Sequence, residues 1–177
     1  MQTQAKPIRV WDLPTRIFHW SLAASFVIAF ITAESEKLRD IHVVAGYTVA
    51  GLMAFRLLWG FVGGSYSRFA EFLPTPRRLM EYLKSLTNGK PQHFVGHNPA
   101  GAVAIVLLLG FGIIAAASGW ATHEDVGGHL IKELHETSSE TMMALVVIHI
   151  AGVIVTSWLH RENLVRAMIT GRKNNGV

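Results

Sequence analysis

Residues 135–160 read HETSSETMMALVVIHIAGVIVTSWLH, and their reading decides the fold. From Thr141 to Leu159 the stretch carries no charge, and as a helix rising about 1.5 Å per residue it is long enough to cross a hydrocarbon core. His135 stands before this run and His149 within it. Fourteen residues at about 100° each return to within roughly 40° of the starting direction, so the two imidazoles face one side of the helix, about 21 Å apart along its axis. A buried imidazole costs free energy unless it has a hydrogen-bond partner or a metal. Two on one face, at two depths, predict a helix that holds something twice.

Outward from this stretch, three further runs are apolar enough to span. The four expected spans cover about 17–33, 41–64, 99–121 and 138–160. The second is interrupted only by Arg56, whose long side chain is expected to snorkel to the interface. The first resembles the apolar core of a signal peptide with a cleavage site near Ala33, but sixteen residues, including acidic Asp12, precede it, and it is longer than most such cores. Thr75-Pro76 starts and Asn88-Gly89 ends a short helix whose Leu79, Tyr82, Leu83 and Leu86 share a face, suited to the membrane surface. Gly60 and Gly64 make a small-xxx-small pair, read as helix packing.

Of sixteen Lys and Arg, only Lys37, Arg39 and Lys132 lie in the two loops on one side of these spans, and the rest lie on the side of the termini. By the positive-inside rule both termini are cytoplasmic. The expected fold is all-α, an integral membrane four-helix bundle with a short amphipathic interfacial helix between spans two and three, the whole of 1–177 forming one domain.

Composition agrees: 50% of residues are hydrophobic, 16% are charged and the mean hydropathy is +0.33. No cysteine is present, which excludes disulfides, thiolate-held iron–sulfur clusters and covalently attached haem. The net charge of +4 and pI near 9.7 do not imply nucleic acid, because the basic residues are spread between apolar spans and form no single patch.

Nine histidines are present, and His19, His42, His135 and His149 lie in or at the edge of spans. At about 1.5 Å per residue, His19 lies roughly 22 Å below Glu34 and His149 roughly 21 Å below His135, so those two are level. His42 and His135, each opening its helix, are level near the outer surface. Imidazoles on facing helices at one depth make a bis-axial site for haem iron. The expected pairs are therefore His19 with His149 on the inner side and His42 with His135 on the outer side, holding two haems b. Gly46 and Gly152, each about one turn after a ligand, suit the close approach of a porphyrin plane, though ordinary packing explains them nearly as well. Arg16, Arg39 and Arg56 lie near membrane edges, where guanidinium groups suit haem propionates and where topology alone would also put them. Zinc needs about four converging ligands, whereas these four divide into two levels. His93, His97 and His160 on the inner side and His123 and His129 on the outer side are read as solvated or interfacial.

Phe18-His19-Trp20, Ile41-His42-Val43-Val44-Ala45-Gly46-Tyr47, Leu134-His135-Glu136-Thr137, Ile148-His149 and the tail His160-Arg161-Glu162-Asn163-Leu164-Val165-Arg166 resemble the bacterial cytochrome b561 family. More distantly, the chain is similar to the membrane b-type cytochrome subunits of nickel–iron hydrogenases and formate dehydrogenases. The resemblance implies a di-haem, quinone-linked electron carrier of the bacterial cytoplasmic (inner) membrane with ligands at the same four histidines. It also implies either an extracytoplasmic cytochrome or redox enzyme as partner, or superoxide as the electron donor with quinone as acceptor. The first outer loop and residues 121–134, with Glu124, Asp125 and Glu133, form the expected partner-facing surface, suited to a basic protein. Lipid surrounds the spans, a homodimer is compatible with them, and no catalytic residue is assigned. The readings left standing beside this one are a proton or ion transporter lined by histidines and a membrane anchor of a larger complex. Helix four is expected to continue as a basic extension through Arg166.

Overall fold

The computed structural model describes residues 8–173. In chain order these form β1 (Ile8–Arg9), α1 (Leu13–Thr32), α2 (Arg39–Val62), α3 (Phe69–Phe72), α4 (Pro76–Thr87), α5 (Pro99–His123), α6 (Gly128–Leu159), α7 (Leu164–Thr170) and β2 (Arg172–Lys173). Four helical stretches, α1, Glu36–Val62, α5 and α6, are long and apolar enough to cross a membrane. The chain is all-α in class, as the hydropathy of its sequence predicts.

Local signals set the helix ends. Asp12 accepts a hydrogen bond from the Thr15 backbone N–H at 2.8 Å, satisfying a donor that the first turn of α1 leaves open. Asn98 does the same for Gly101 at 2.7 Å, with Pro99 at the first position of α5. Thr75 and Pro76 start α4, and Asn88 follows its end, as the sequence predicts. α6 begins at Gly128, earlier than the span expected from residue 138, so His135 lies two turns inside the helix and does not open it. Gly127 precedes it at φ 84°, with a Cβ at that position only 2.2 Å from Ile131.

The chain groups into two compact units. One comprises Met1–Arg16, Trp59–Ile105 and Val147–Val177. In it β1 pairs antiparallel with β2, Ile8 opposite Lys173, and Val10, Trp11 and Ala167 form a buried cluster packed by Ile8, Val95 and Met168. The expected continuous extension of helix four through Arg166 is not found. α6 stops at Leu159, Arg161 turns the backbone at φ 51°, and Asn163 caps a separate α7 by accepting from the Arg166 N–H at 2.8 Å. Burial of Ala167 against Trp11 supplies the reason: an exposed straight extension would leave that apolar face in water. Gly60 and Gly64 are not a helix-packing seam. A Cβ on Gly60 would lie 2.1 Å from the Phe69 ring, and Gly64 lies past the end of α2, donating its N–H to Asp12 at 3.2 Å.

The other unit comprises Ile17–Leu58 and Val106–Val146. Here segments of the four long helices pack around buried Phe18, Phe26, Ala45, Val49, Met53, Leu109, Ala115 and Met142. A Cβ on Gly112 would lie 2.3 Å from the Met53 methyl and 3.5 Å from that of Met142, so α2, α5 and α6 close at this glycine. Arg56 is only 5% exposed. Its side chain is inside the protein and does not snorkel along a lipid-facing surface, which corrects the expectation from its position in the span.

Candidate haem-binding site

His42 and His135 come together. Their ring centres are 6.1 Å apart and the ring planes cross at 84°. Each Nδ1 lies 2.8 Å from a backbone carbonyl, His42 from Ala29 and His135 from Ala115. A carbonyl only accepts, so both Nδ1 atoms are the protonated, donating nitrogens and both Nε2 atoms keep a free lone pair. That is the tautomer a metal-ligating histidine needs, with its second nitrogen tied to an acceptor.

The two anchors arise differently. Ala29 lies in the last turn of α1, where the final four carbonyls lack helical partners; the Ala33 N–H turns to Phe30 instead. His42, in the first turn of α2, supplies the closer donor, beside the Thr32 hydroxyl at 3.2 Å. Ala115 is inside α5, and His135 reaches it because Gly119, one turn on, has no side chain: a Cβ there would lie 2.8 Å from His135 Cε1 and 2.9 Å from its Nδ1. Ser138, buried, donates to the His135 carbonyl at 3.1 Å.

The spacing suits one iron. Two metal–nitrogen bonds of about 2 Å each, with roughly 1 Å from nitrogen to ring centre at either end, total about 6 Å. Among the described residues no three His, Cys, Asp or Glu side chains converge on a metal position, which weighs against zinc. One turn after His42, a Cβ on Gly46 would meet no atom within 4 Å, so the face of α2 beside His42 has open space for a planar ring. The donor set and the spacing therefore fit haem.

His19, half-buried in α1, has its ring edge-on to Trp20 at 5.1 Å and belongs to the unit that holds His42 and His135. His149, half-buried in α6, belongs to the first unit, as does Gly152, where a Cβ would meet nothing within 4 Å. Arg16 donates to the Ile169 carbonyl, which ties the start of α1 to α7. Arg39 is exposed at the start of α2.

Gly119 and the carbonyls of Ala29 and Ala115 escape sequence reading, since backbone acceptors leave no mark in composition. His97, read as solvated or interfacial, is half-buried, its ring lying between Trp11 at 4.6 Å and Phe72 at 4.5 Å. His123 packs edge-on to Tyr47 at 6.2 Å, and exposed His129 lies 3.6 Å from Glu133.

A family profile described as prokaryotic cytochrome b561 matches residues 10–171. Relatives include the probable Ni/Fe-hydrogenase B-type cytochrome subunit of Bradyrhizobium diazoefficiens, 23% identical over 94% of this chain and 85% of that protein. The protein of that name from Azotobacter vinelandii is 24% identical over 93% and 87%. The probable Ni/Fe-hydrogenase 1 B-type cytochrome subunit of Escherichia coli K12 is 24% identical over 66% and 60%. No solved structure matches.

Proposed function

The chain belongs to the prokaryotic cytochrome b561 family, and from that premise we propose that it conducts electrons between the membrane quinone pool and an extracytoplasmic redox partner through two bis-histidine haems b. It is a bacterial multi-pass membrane protein and a b-type cytochrome of electron transfer. The finer reading is carried by one observation, the His42–His135 pair with both Nδ1 atoms tied to carbonyls.

Bound haem supplies a one-electron iron couple. His42 and His135 present their Nε2 atoms to it, and the Ala29 and Ala115 carbonyls hold the rings against rotation. His19 and His149 are the second ligand pair in this reading, on the depth arithmetic of their helices. A haem held by two imidazoles, such as those of His42 and His135, would exchange electrons and would not bind oxygen or substrate. Arg56, Arg39 and Arg16 are propionate partners in the same reading, and Gly46 lines the first site. Residues 1–177 act as one di-haem domain of the inner membrane, with the basic termini cytoplasmic.

The partner is read as a redox enzyme or cytochrome, in keeping with the hydrogenase cytochrome subunits to which the chain is similar. Glu124, Asp125 and Glu133, all exposed, suit a basic protein.

The test uses purified protein in liposomes. A reduced b-type spectrum at two haems per chain, produced by added quinol and reversed by a membrane-impermeant oxidant, is the expected result. Haem that quinol cannot reduce would end the quinone reading, and a colourless protein would end the whole of it.

A further inference from the structure

We propose that Gly119 is the positioning residue of this pair: its missing side chain seats the His135 ring on α5 with the ring plane crossed against that of His42. This rests on the reading of His42 and His135 as ligands of one haem.

The His135 ring lies where a Cβ on residue 119 would be, 2.8 Å from Cε1 and 2.9 Å from Nδ1. Any real Cβ must displace the ring, for it meets Cε1 first and then Nδ1, the nitrogen that donates to the Ala115 carbonyl at 2.8 Å. Ala115 and Gly119 are four residues apart, so they lie on one face of α5 and form a slot of small residues. Packing of small residues normally lets helix backbones approach; here the slot takes an imidazole. His42 is fixed independently by the carbonyl of Ala29, on a different helix. The 84° crossing is thus set by two separate backbone anchors, and only the Gly119 side of it is removable by substitution.

Crossed imidazole planes have a spectroscopic consequence. Each ligand donates π density into a different one of two perpendicular iron d orbitals, leaving them nearly equal in energy, whereas parallel planes raise one alone. Near-equal levels give the ferric low-spin state a highly anisotropic electron paramagnetic resonance signal with one large g value. Well-split levels give an ordinary rhombic signal.

The experiment uses the purified haem-loaded protein, with haem count, resonance spectrum and midpoint potentials as readouts. The wild type is expected to show at least one highly anisotropic signal. Rhombic signals alone would overturn the proposal, whether or not any variant folds. In Gly119→Ala that signal is expected to vanish with its haem, or to turn rhombic with a shifted midpoint, while the second haem keeps its signal. Gly112→Ala, on the same helix, meets the flexible ends of Met53 and Met142 and no histidine, and is expected to change neither signal. Unchanged spectra and midpoints in Gly119→Ala, or the same change in Gly112→Ala, would overturn the proposal. His42→Ala separates the two failures: if it keeps both haems, the ligand reading is wrong irrespective of Gly119.

Discussion

The carbonyl of Ala29 receives the Nδ1–H of His42 at 2.8 Å, thirteen residues further along the chain. One contact therefore does two things: it gives a carbonyl at the C-terminus of α1, which the Thr32 hydroxyl reaches only at 3.2 Å, its closer donor, and it turns Nε2 of His42 away from the backbone. Replacing His42 removes both. His42→Ala is expected to lose one haem of two per chain, and His135→Ala to lose the same one, so the double variant loses no more than either single variant. Haem-to-protein ratios by pyridine haemochromogen decide this, and loss of both haems in the double variant would break the pairing.

His19 and His149 carry the complementary prediction. Each alanine variant is expected to retain the haem that the His42 variant loses, recognisable by its midpoint potential. A His149→Ala protein with the His42-type haem missing would assign the ligands differently.

Much of this was legible because membrane burial leaves few ways to satisfy imidazole. Read from the sequence, His42 and His135 are level because each is expected to open its helix; the two rings are 6.1 Å apart although His135 lies two turns inside α6. Thr75-Pro76 and Asn88-Gly89 marked α4 because capping chemistry is local. The tertiary consequences were not legible. Gly119 is one of several glycines in an apolar run, and only the fold shows an imidazole lying on it. Arg56 looked like a snorkelling side chain because periodicity gives depth and not the neighbours that cover it. The break after Leu159 carries no glycine or proline, so helix propensity ran straight through Arg161, where the backbone turns at φ 51°.

Asp12 is the junction of the first unit. Its carboxylate accepts from Thr15 N–H, from Gly64 N–H at 3.2 Å, from Ser67 Oγ at 3.0 Å and from Trp59 Nε1 at 3.3 Å. Burial raises its pKa, but the hydrogen bonds from Thr15, Ser67 and Gly64 outweigh it and hold the carboxyl below the ordinary 3.8. A depressed carboxyl stabilises the fold above the unfolded value and loses that contribution as pH falls through the folded one. Asp12→Ala is expected to cost about 2 kcal/mol, combining a lost helix cap with donors left unpaired. Thermal unfolding in detergent at pH 7 measures it, and an unchanged midpoint would refute the junction role.

The exposed carboxylates of the proposed outer surface predict a salt-dependent rate. Glu124, Asp125 and Glu133 are exposed on the unit that holds the His42–His135 pair, and like-signed surface charge speeds encounter with an oppositely charged protein. Oxidation of the reduced protein by a basic soluble cytochrome is expected to slow several-fold between low and physiological salt. Changing the three carboxylates to amides should remove most of that slope, while an acidic electron acceptor should show none of it. Stopped-flow traces at two ionic strengths suffice, and equal slopes for the basic and acidic acceptors would sink the idea of a basic partner.

A charged cluster follows α6. His160 has its ring centre 5.2 Å from that of His93; Glu162 Oε2 lies 3.6 Å from His93 Nε2 and 3.3 Å from Lys173 Nζ. Lys173 is buried, and its ammonium also donates to the Phe94 carbonyl at 3.4 Å, which fastens β2 against the segment before α5. Burial first, then the neighbouring His93, opposed by Glu162 and reinforced by Lys173, hold His160 below the ordinary imidazole value of 6.5. Once the terminal segment opens, His160 regains that value and binds its proton more readily than in the closed form. Stability of the closed form is therefore complete above about pH 6.5 and falls as pH drops towards the depressed folded value, by at most about tenfold in the opening equilibrium per pH unit for one proton. Amide hydrogen exchange across 164–173, corrected for the intrinsic pH dependence of exchange, should show weaker protection at pH 5.5 than at pH 7.5, and His160→Gln should flatten the difference. Equal protection at the two pH values in the parent protein would show that His160 does not sense the closure of its own segment.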